Sequence, residues 1–499
     1  MPEEASPSRR PALIQNWLSL LGIIVALCSF FAVSCLIAID FYSGFGNPYM
    51  GILTYVVAPG FLVMGLFLIG VGALVERRRR RRAAPGEIPE HPRIDFNVPR
   101  QRNAFLVFVV VTFAFLLITA LGSYRTYHFT ESVQFCGQIC HAVMKPEFTA
   151  YQNSPHARVT CTECHIGPGA TWFVRSKLSG SYQVYATVFD KYPRPIPTPV
   201  KNLRPAQETC EQCHWPQKFY GAVEKVRTHF KYDETNSAWT VALLLKVGGG
   251  DPTHGPVGGI HWHMNVANKV EYVASDEARQ VIPWVCITDQ QGRVTVYEAK
   301  DGKLKPEQIT SASMRRMDCI DCHNRPTHIF HSPDEAVDSA MALGRIDPSL
   351  PAVKKSAVDG LAADYRTTDE AVQKIADLLA KKYASANPAT VQRAVAEAQK
   401  IYRENFFPEM KSRWKIYPNN IGHYEWPGCF RCHDGQHASA DGKIISDNCS
   451  SCHTIIAEGA GTDVKTLSAQ GFEFQHPSEE LGDAWKGQKC SDCHNGASM

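Results

Sequence analysis

Cys161-Thr-Glu-Cys164-His165 decides how the rest of this 499-residue chain is read. Five further runs share its Cys-x-x-Cys-His form: Cys210/Cys213/His214, Cys319/Cys322/His323, Cys429/Cys432/His433, Cys449/Cys452/His453 and Cys490/Cys493/His494. A seventh, Cys136-Gly-Gln-Ile-Cys140-His141, has one extra residue between its cysteines. Fourteen of the 17 cysteines therefore stand in pairs followed at once by histidine. This is the attachment signature of haem c. Two thiols add to the vinyl groups along one porphyrin edge, and the adjoining histidine swings beneath the ring to ligate iron. The spacing is set by that edge, so the motif reports a geometry.

Structural zinc also uses Cys-x-x-Cys pairs, but it takes two such pairs per site and needs no histidine directly after each. Seven is an odd number. With only 19 histidines in the chain, seven immediate successions do not arise by chance. Disulfides fit worse, because a two-residue spacer gives a strained, redox-labile bridge. The remaining cysteines have packing roles: Cys28 and Cys35 are small residues seven apart in an apolar run, and Cys286 lies in a strand-like one.

Three apolar stretches, Trp17–Ile39, Ile52–Val75 and Ala104–Gly122, each approach the ~20 residues a helix needs to cross hydrocarbon. The short loops then set orientation. Arg9 and Arg10 precede the first span, Asp40 to Gly51 carries no Lys or Arg, and Arg77 to Arg82 with Arg93, Arg100 and Arg102 fill the next loop. Both basic segments are expected on the cytoplasmic side, which sends everything after Gly122 to the other face, where bacterial haem c attachment is completed. No Ala-x-Ala site follows the first span before Phe41, so it is read as an anchor rather than a cleaved signal. The arginine run, beside two spans, suits anionic lipid rather than nucleic acid. A net charge of +3 excludes nothing about partners.

The expected fold is a multihaem cytochrome c, mainly α with much irregular structure, carrying three transmembrane helices, a small β insertion and a helical insertion. The divisions are a membrane anchor at 1–123, a triple-haem segment at 124–216, a β-rich insertion at 217–310, a single-haem segment at 311–331, a helical insertion at 332–410 and a C-terminal triple-haem segment at 411–499. Alternation in Trp239–Val247, Val270–Ala274 and Val281–Glu298, with a turn at Asp289-Gln-Gln-Gly292, indicates the β element. Helical spacing through Ala371–Tyr383 and Val391–Tyr402, parted by Asn387-Pro388, indicates the helices.

A haem that only transfers electrons holds iron between two protein ligands, whereas a catalytic one leaves a face open. Twelve histidines lie outside the motifs. With His91 assigned to the cytoplasm, eleven remain for seven distal positions. His328 comes five residues after His323, too close to pass round its own porphyrin, so it suits a neighbouring haem; His437, four after His433, is in the same position. His156, His229, His423 and His476 are further candidates. In Gly258-Gly-Ile-His261-Trp-His263-Met264, His263 is favoured slightly over His261.

From Phe129 to Cys213 the chain resembles the NapC/NirT/NrfH family of membrane-anchored quinol dehydrogenases. The features run in order: a transmembrane stretch, Thr130-Glu131, Phe135-Cys136, Cys140-His141 with Met144, Tyr151-Gln-Asn-Ser154-Pro-His156, the Cys161 motif, a stretch with Lys177, and the Cys210 motif. The resemblance implies that the haem nearest the membrane accepts electrons from menaquinol or ubiquinol. It also implies Met144 as a ligand of that haem with His141 as competitor, Lys177 at the quinol site, and His156 as distal ligand to another haem. Family members commonly have four haems and one span; here Met144 follows its histidine by three residues, and Asp190 is the weak candidate for an acidic partner after Lys177. The overall plan is similar to larger seven-haem inner-membrane cytochromes that feed periplasmic carriers.

The function expected is oxidation of membrane quinol with electron delivery to periplasmic cytochromes or reductases in anaerobic or extracellular respiration. Seven haem c groups are the cofactors, and His128, Glu147 and Lys177 are candidate proton acceptors. A non-catalytic relay subunit is the alternative. A nitrite- or hydroxylamine-type reductase is disfavoured because no Cys-x-x-Cys-Lys motif occurs, and a redox sensor because the loop at about 76–103 is too short for an output domain.

Overall fold

The computed structural model of the chain describes residues 13–14, 16–43, 58–82, 95–167, 169–200, 203–249, 258–264, 268–462, 464 and 466–497. Arg9, Arg10, His91 and Arg93, the start of the second apolar stretch and most of the loop before it lie outside these. Two units are distinguished: 1–131 with 166–182, and 132–165 with 183–499.

The first unit contains α1 (Trp17–Ser43), α2 (Ala58–Arg82) and α3 (Pro99–Thr130). Helix is the form in which an apolar segment satisfies its own backbone polar groups without water. Trp17–Ser34 and Ala58–Arg82 are long and apolar enough to cross a membrane. Helix α3 runs unbroken through the third apolar stretch, and its 32 residues span roughly 48 Å at the α-helical rise. Helices α1 and α2 pack through small residues: a Cβ on Gly22 would lie 2.6 Å from the Gly65 carbonyl oxygen. Asn16 Nδ2 donates to Gly72 O at 3.1 Å and Ser29 Oγ to Ala58 O at 2.5 Å, so the polar groups of this apolar pair bond one another.

In the second unit, α4 (His141–Gln152) precedes α5 (Ala170–Val188), a helix that starts in the first unit. Two antiparallel sheets follow. Strands β1 (Val223–Phe230), β2 (Ala238–Leu245), β3 (Lys269–Val273), β4 (Trp284–Thr288), β5 (Val294–Ala299), β6 (Arg315–Arg316), β7 (His437–Ser439) and β8 (His453–Ala460) pair in the orders β1-β2-β8 and β6-β3-β4-β5-β7. The β4–β5 hairpin closes where Gly292 adopts φ +74° and its N–H reaches Asp289 O at 3.0 Å. Both faces of β3 and β4 are buried, one with Val270, Tyr272 and Val285, the other with Val273, Trp284 and Cys286. Each sheet takes an outer strand, β8 or β7, from the C-terminal haem segment. The β element is thus completed by residues far beyond 310, which local alternation could not reveal.

Helices α6 (Pro333–Ala342), α7 (Val353–Ala362), α8 (Thr368–Lys382) and α9 (Pro388–Asn405) share one core. Ile375 and Leu379 are fully buried in it, one turn apart on α8, and each such burial stabilises by about 1.5–3 kcal/mol. Thr367 caps α8 by accepting from Glu370 N, and Asn387 caps α9 with Pro388 at its first position.

Candidate haem centres

Each Cys-x-x-Cys-His run folds into a single turn, α at Cys161–His165, Cys319–Cys322 and Cys490–Cys493, and 3-10 at the other three. The turn returns the histidine N–H to the first cysteine's carbonyl: 2.8 Å for His214, 2.7 Å for His323, 3.0 Å for His433 and 2.8 Å for His494. Both thiols and the imidazole are therefore delivered from one short turn, as a thioether-linked, histidine-ligated ring requires. The first motif absorbs its extra residue as a π-helical turn, Phe135–Ile139, in which buried Gly137 lies against the Phe148 ring, leaving no room for a Cβ. Cys136 neighbours Cys161 and Cys210 neighbours Cys319, so the first motif adjoins the second and the third adjoins the fourth.

Among the described residues, six motif histidines face a second imidazole. Ring centres are 6.3 Å apart for His165–His328, 5.9 Å for His156–His214, 6.3 Å for His261–His323, 5.8 Å for His263–His433, 6.2 Å for His423–His453 and 6.1 Å for His476–His494. Metal–imidazole bonds of about 2 Å, with about 1.1 Å from nitrogen to ring centre, put two trans imidazoles about 6.2 Å apart. The pairs fit an iron between them. Burial lowers the pKa of His165, His263, His323, His328, His423, His453, His476 and His494, which favours the neutral ring that a metal needs. A cleft of ≈ 290 Å³ lined by Trp262, His263, Val285, Met317, Cys432 and His433 gives the pair His263–His433 an apolar slot.

Hydrogen bonds at Nδ1 aim several of these rings. His328 Nδ1 faces Glu147 O at 3.0 Å, His261 Nδ1 faces Val247 O at 2.6 Å, His263 Nδ1 faces Ile260 O at 2.9 Å and His433 Nδ1 faces Ser446 O at 2.7 Å. Donation to a carbonyl places the proton on Nδ1 and leaves the Nε2 lone pair for a metal. His476 differs, since its Nδ1 accepts the Ser478 N–H at 3.2 Å.

Two sequence candidates for distal ligation are engaged elsewhere. His437 is 2% exposed, and both ring nitrogens already have partners, Asp434 Oδ1 at 2.9 Å and Ile282 O at 2.7 Å. It serves the β7 edge and offers no nitrogen to iron. His229 Nδ1 meets Asp338 Oδ2 at 3.0 Å and its ring lies against Tyr424 rather than a motif histidine. His229, Asp334 and Asp338 converge as a metal site would. The buried Lys354 ammonium instead binds both carboxylates, at 2.8 Å to Asp334 and in a shorter contact to Asp338. The slight preference for His263 over His261 is replaced by two roles, one ring for each of two motifs.

The candidate proton acceptors separate. Lys177, on α5, forms an ion pair with Glu131, just past the end of α3, both in the first unit. The carboxylate paired with Lys177 is Glu131, 46 residues before it, while Asp190 is tied to Arg194 at 2.5 Å. His128 is exposed near the end of α3. Glu147 belongs to the second unit, where its carboxylate binds Arg325 at 3.1 Å and its carbonyl holds His328. It is a positioning group for an imidazole, and Arg325, unsuspected from the sequence, is its counter-ion. Met144 is half-buried and packs against the apolar cluster that includes Phe330, Phe407, Met410 and Tyr417. It lies one turn after His141 on α4, and the side chain of His141 falls outside the described residues.

A chain with apolar helices, covalent-attachment turns and imidazole pairs spaced for iron is a c-type cytochrome of the electron-transfer kind. Residues 98–195 match the NapC/NirT cytochrome c family, N-terminal region. The chain is 44% identical over 489 residues to the cytochrome c-type protein ImcH of Geobacter sulfurreducens, covering 97% of this chain and 95% of that protein. It belongs to the NapC/NirT family of c-type cytochromes. No solved structure matches it.

Proposed function

We propose that this chain is a seven-haem quinol dehydrogenase of the bacterial inner membrane. In this reading three transmembrane helices anchor a periplasmic haem domain that passes electrons to periplasmic cytochromes or reductases. The observation that carries the quinol reading is the Lys177–Glu131 ion pair, which links α5 to the end of α3 in the unit holding the apolar helices. Oxidation of a quinol to a quinone releases two electrons and two protons, and haem c, once bound, accepts electrons singly. Lys177 and Glu131 would supply a donor and an acceptor for the two quinol hydroxyls; Glu131 would take one proton as its hydroxyl O–H breaks, and the second would pass from the other hydroxyl to water.

The cysteines of the seven motifs hold the haems through thioethers, and their histidines ligate iron. The second imidazole would come from His328 for the haem of His165, His156 for that of His214, His261 for that of His323, His263 for that of His433, His423 for that of His453 and His476 for that of His494. The haem of Cys136 and Cys140 is the entry point, with His141 or Met144 as its ligand. Imidazoles on both sides of six irons would leave no open face for an exogenous ligand there, which suits transfer rather than small-molecule reduction. The test is anaerobic stopped-flow mixing of oxidised full-length protein with a menaquinol analogue. Fast reduction of the haem bands, blocked by a quinol-site inhibitor and slowed at least tenfold in Lys177→Met, is expected. Reduction by dithionite but not by quinol would leave the chain a relay subunit.

A further inference from the structure

His261 and His263 sit two residues apart in one 3-10 turn, Ile260–Met264, yet their rings face different motifs. The His261 ring is 6.3 Å from that of His323 with the planes 6° apart, and the His263 ring is 5.8 Å from that of His433 with the planes at 90°. His323 belongs to the isolated middle motif and His433 to the C-terminal group of three. A single turn of the β insertion therefore reaches both. We infer that the turn Ile260–Met264 is a double clamp supplying the distal ligands of two haems, one on each side of the helical insertion, and that Gly249 positions it. This inference rests on the haem ligation proposed above.

The turn is fixed from one side by the chain that leaves β2. Ile260 N donates to Lys246 O at 2.8 Å and His261 N to Gly248 O at 3.2 Å. Lys246 N in turn donates to Cys452 O at 2.8 Å, which anchors the platform to the sixth motif. The Nδ1 contacts of both histidines go to backbone carbonyls of the platform or of the turn itself, so ring direction follows backbone position. Gly249 closes the arrangement. Its φ of +116° is open to glycine and strained for other residues. A Cβ at that position would lie 2.7 Å from Trp262 N, 3.0 Å from Trp262 Cα and 3.2 Å from the His261 carbonyl carbon. Those atoms are the backbone between the two ligands, so a side chain on residue 249 displaces both rings together.

The relative orientation of two axial imidazoles sets the splitting of the iron d orbitals. Near-parallel planes give a rhombic low-spin electron paramagnetic resonance signal, and perpendicular planes give a strongly anisotropic signal with a large principal g value. The two haems held by this turn are distinguishable on that basis. Spectra would be taken on oxidised full-length protein in detergent. His261→Met is expected to remove one rhombic signal, and His263→Met one large-g signal, each gaining the near-infrared band of histidine–methionine ligation. Gly249→Ala should diminish both signals together and spare the other haems. Gly302→Ala, at a positive-φ turn with nothing within 4 Å, should change neither. A wild-type guanidinium titration covers the case in which Gly249→Ala does not accumulate: both signals should vanish at one midpoint. Loss of only one signal in Gly249→Ala, or separate midpoints, would overturn the clamp while the single variants still supported ligation. Wild-type signals in both histidine variants would overturn the ligand assignment itself.

Discussion

Replacing Arg325 by methionine should be among the costliest single changes near any of the motifs. Arg325 is 8% exposed and pairs with Glu147, itself 13% exposed, at 3.1 Å. Its Nε donates to His328 O at 2.6 Å, and its guanidinium lies 4.2 Å from the Tyr417 ring centre and 5.0 Å from that of Phe330. Methionine keeps the stem packing but leaves the Glu147 carboxylate buried without a counter-ion, and breaking a buried pair in this way costs about 3–5 kcal/mol. Glu147→Gln leaves the guanidinium its carbonyl and aromatic contacts and should cost only about 1–2 kcal/mol. The double variant should fall below the sum of the singles by about 2 kcal/mol, because the stranded charge is gone. Guanidinium unfolding of the four proteins, followed by haem absorbance and tryptophan fluorescence, gives the cycle. Because the same residues hold His328, Arg325→Met should also weaken the paramagnetic signal of the haem attached at Cys161 and Cys164. If Arg325→Met cost no more than breaking the exposed Arg413–Asp364 pair, about 0–1 kcal/mol, the pair would have no part in aiming His328.

Other consequences are open to direct measurement. His437→Gln should leave the haem spectra unchanged while costing about 1–3 kcal/mol, through the acceptors it strands at Asp434 and Ile282. Ile375→Ala, in the helical core, should cost about 2–5 kcal/mol by thermal unfolding with no change in haem ligation. The pair His331–Glu335, 3.0 Å apart, gives a pH signature. Burial opposes ionisation of Glu335, but the hydrogen bond and charge of His331, with Arg227, bring its carboxyl down to about 2; burial also opposes protonation of His331, yet Glu335 raises its pKa. The Glu335 contribution is present above about 4.5 and lost as pH falls toward 2, and that of His331 is present below about 6.5 and lost as pH rises through its raised value. The stability difference between wild type and His331→Asn should therefore peak between about pH 4.5 and 6.5, at no more than about 1 kcal/mol because both groups are partly exposed.

Much of this molecule is written in short-range patterns, and the remainder depends on what distant segments bring together. The motifs were legible because haem c attachment needs a short, fixed local spacing, shared by Cys161, Cys164 and His165 and five counterparts and stretched by one residue in the first motif. The α8–α9 helices and the β4–β5 hairpin were legible from period and turn chemistry. The distal imidazoles were harder: His328, near its own motif, suggested a neighbouring haem on steric grounds, but the same logic applied to His437 points to a residue that bonds Asp434 and Ile282. Proximity to a motif says that a histidine cannot serve its own ring; it does not say that it serves another. The separation of His261 from His263 was hidden because the segment forms a 3-10 turn, which splays side chains two apart, whereas a strand would align them. Glu131 was visible as a letter next to Thr130, but its partner Lys177 lies a helix and two motifs away.

The ligation scheme is tested most directly by intact-mass analysis of the purified chain together with low-temperature paramagnetic resonance of its oxidised form. Seven covalent haems are predicted. At least six should be low-spin with two imidazoles: near-perpendicular at His263–His433 and His156–His214 (90° and 76°), closer to parallel at His261–His323, His423–His453 and His476–His494 (6°, 24° and 32°), and intermediate at His165–His328 (45°). Fewer than seven haems, or a predominance of high-spin iron with an open face, would contradict the account.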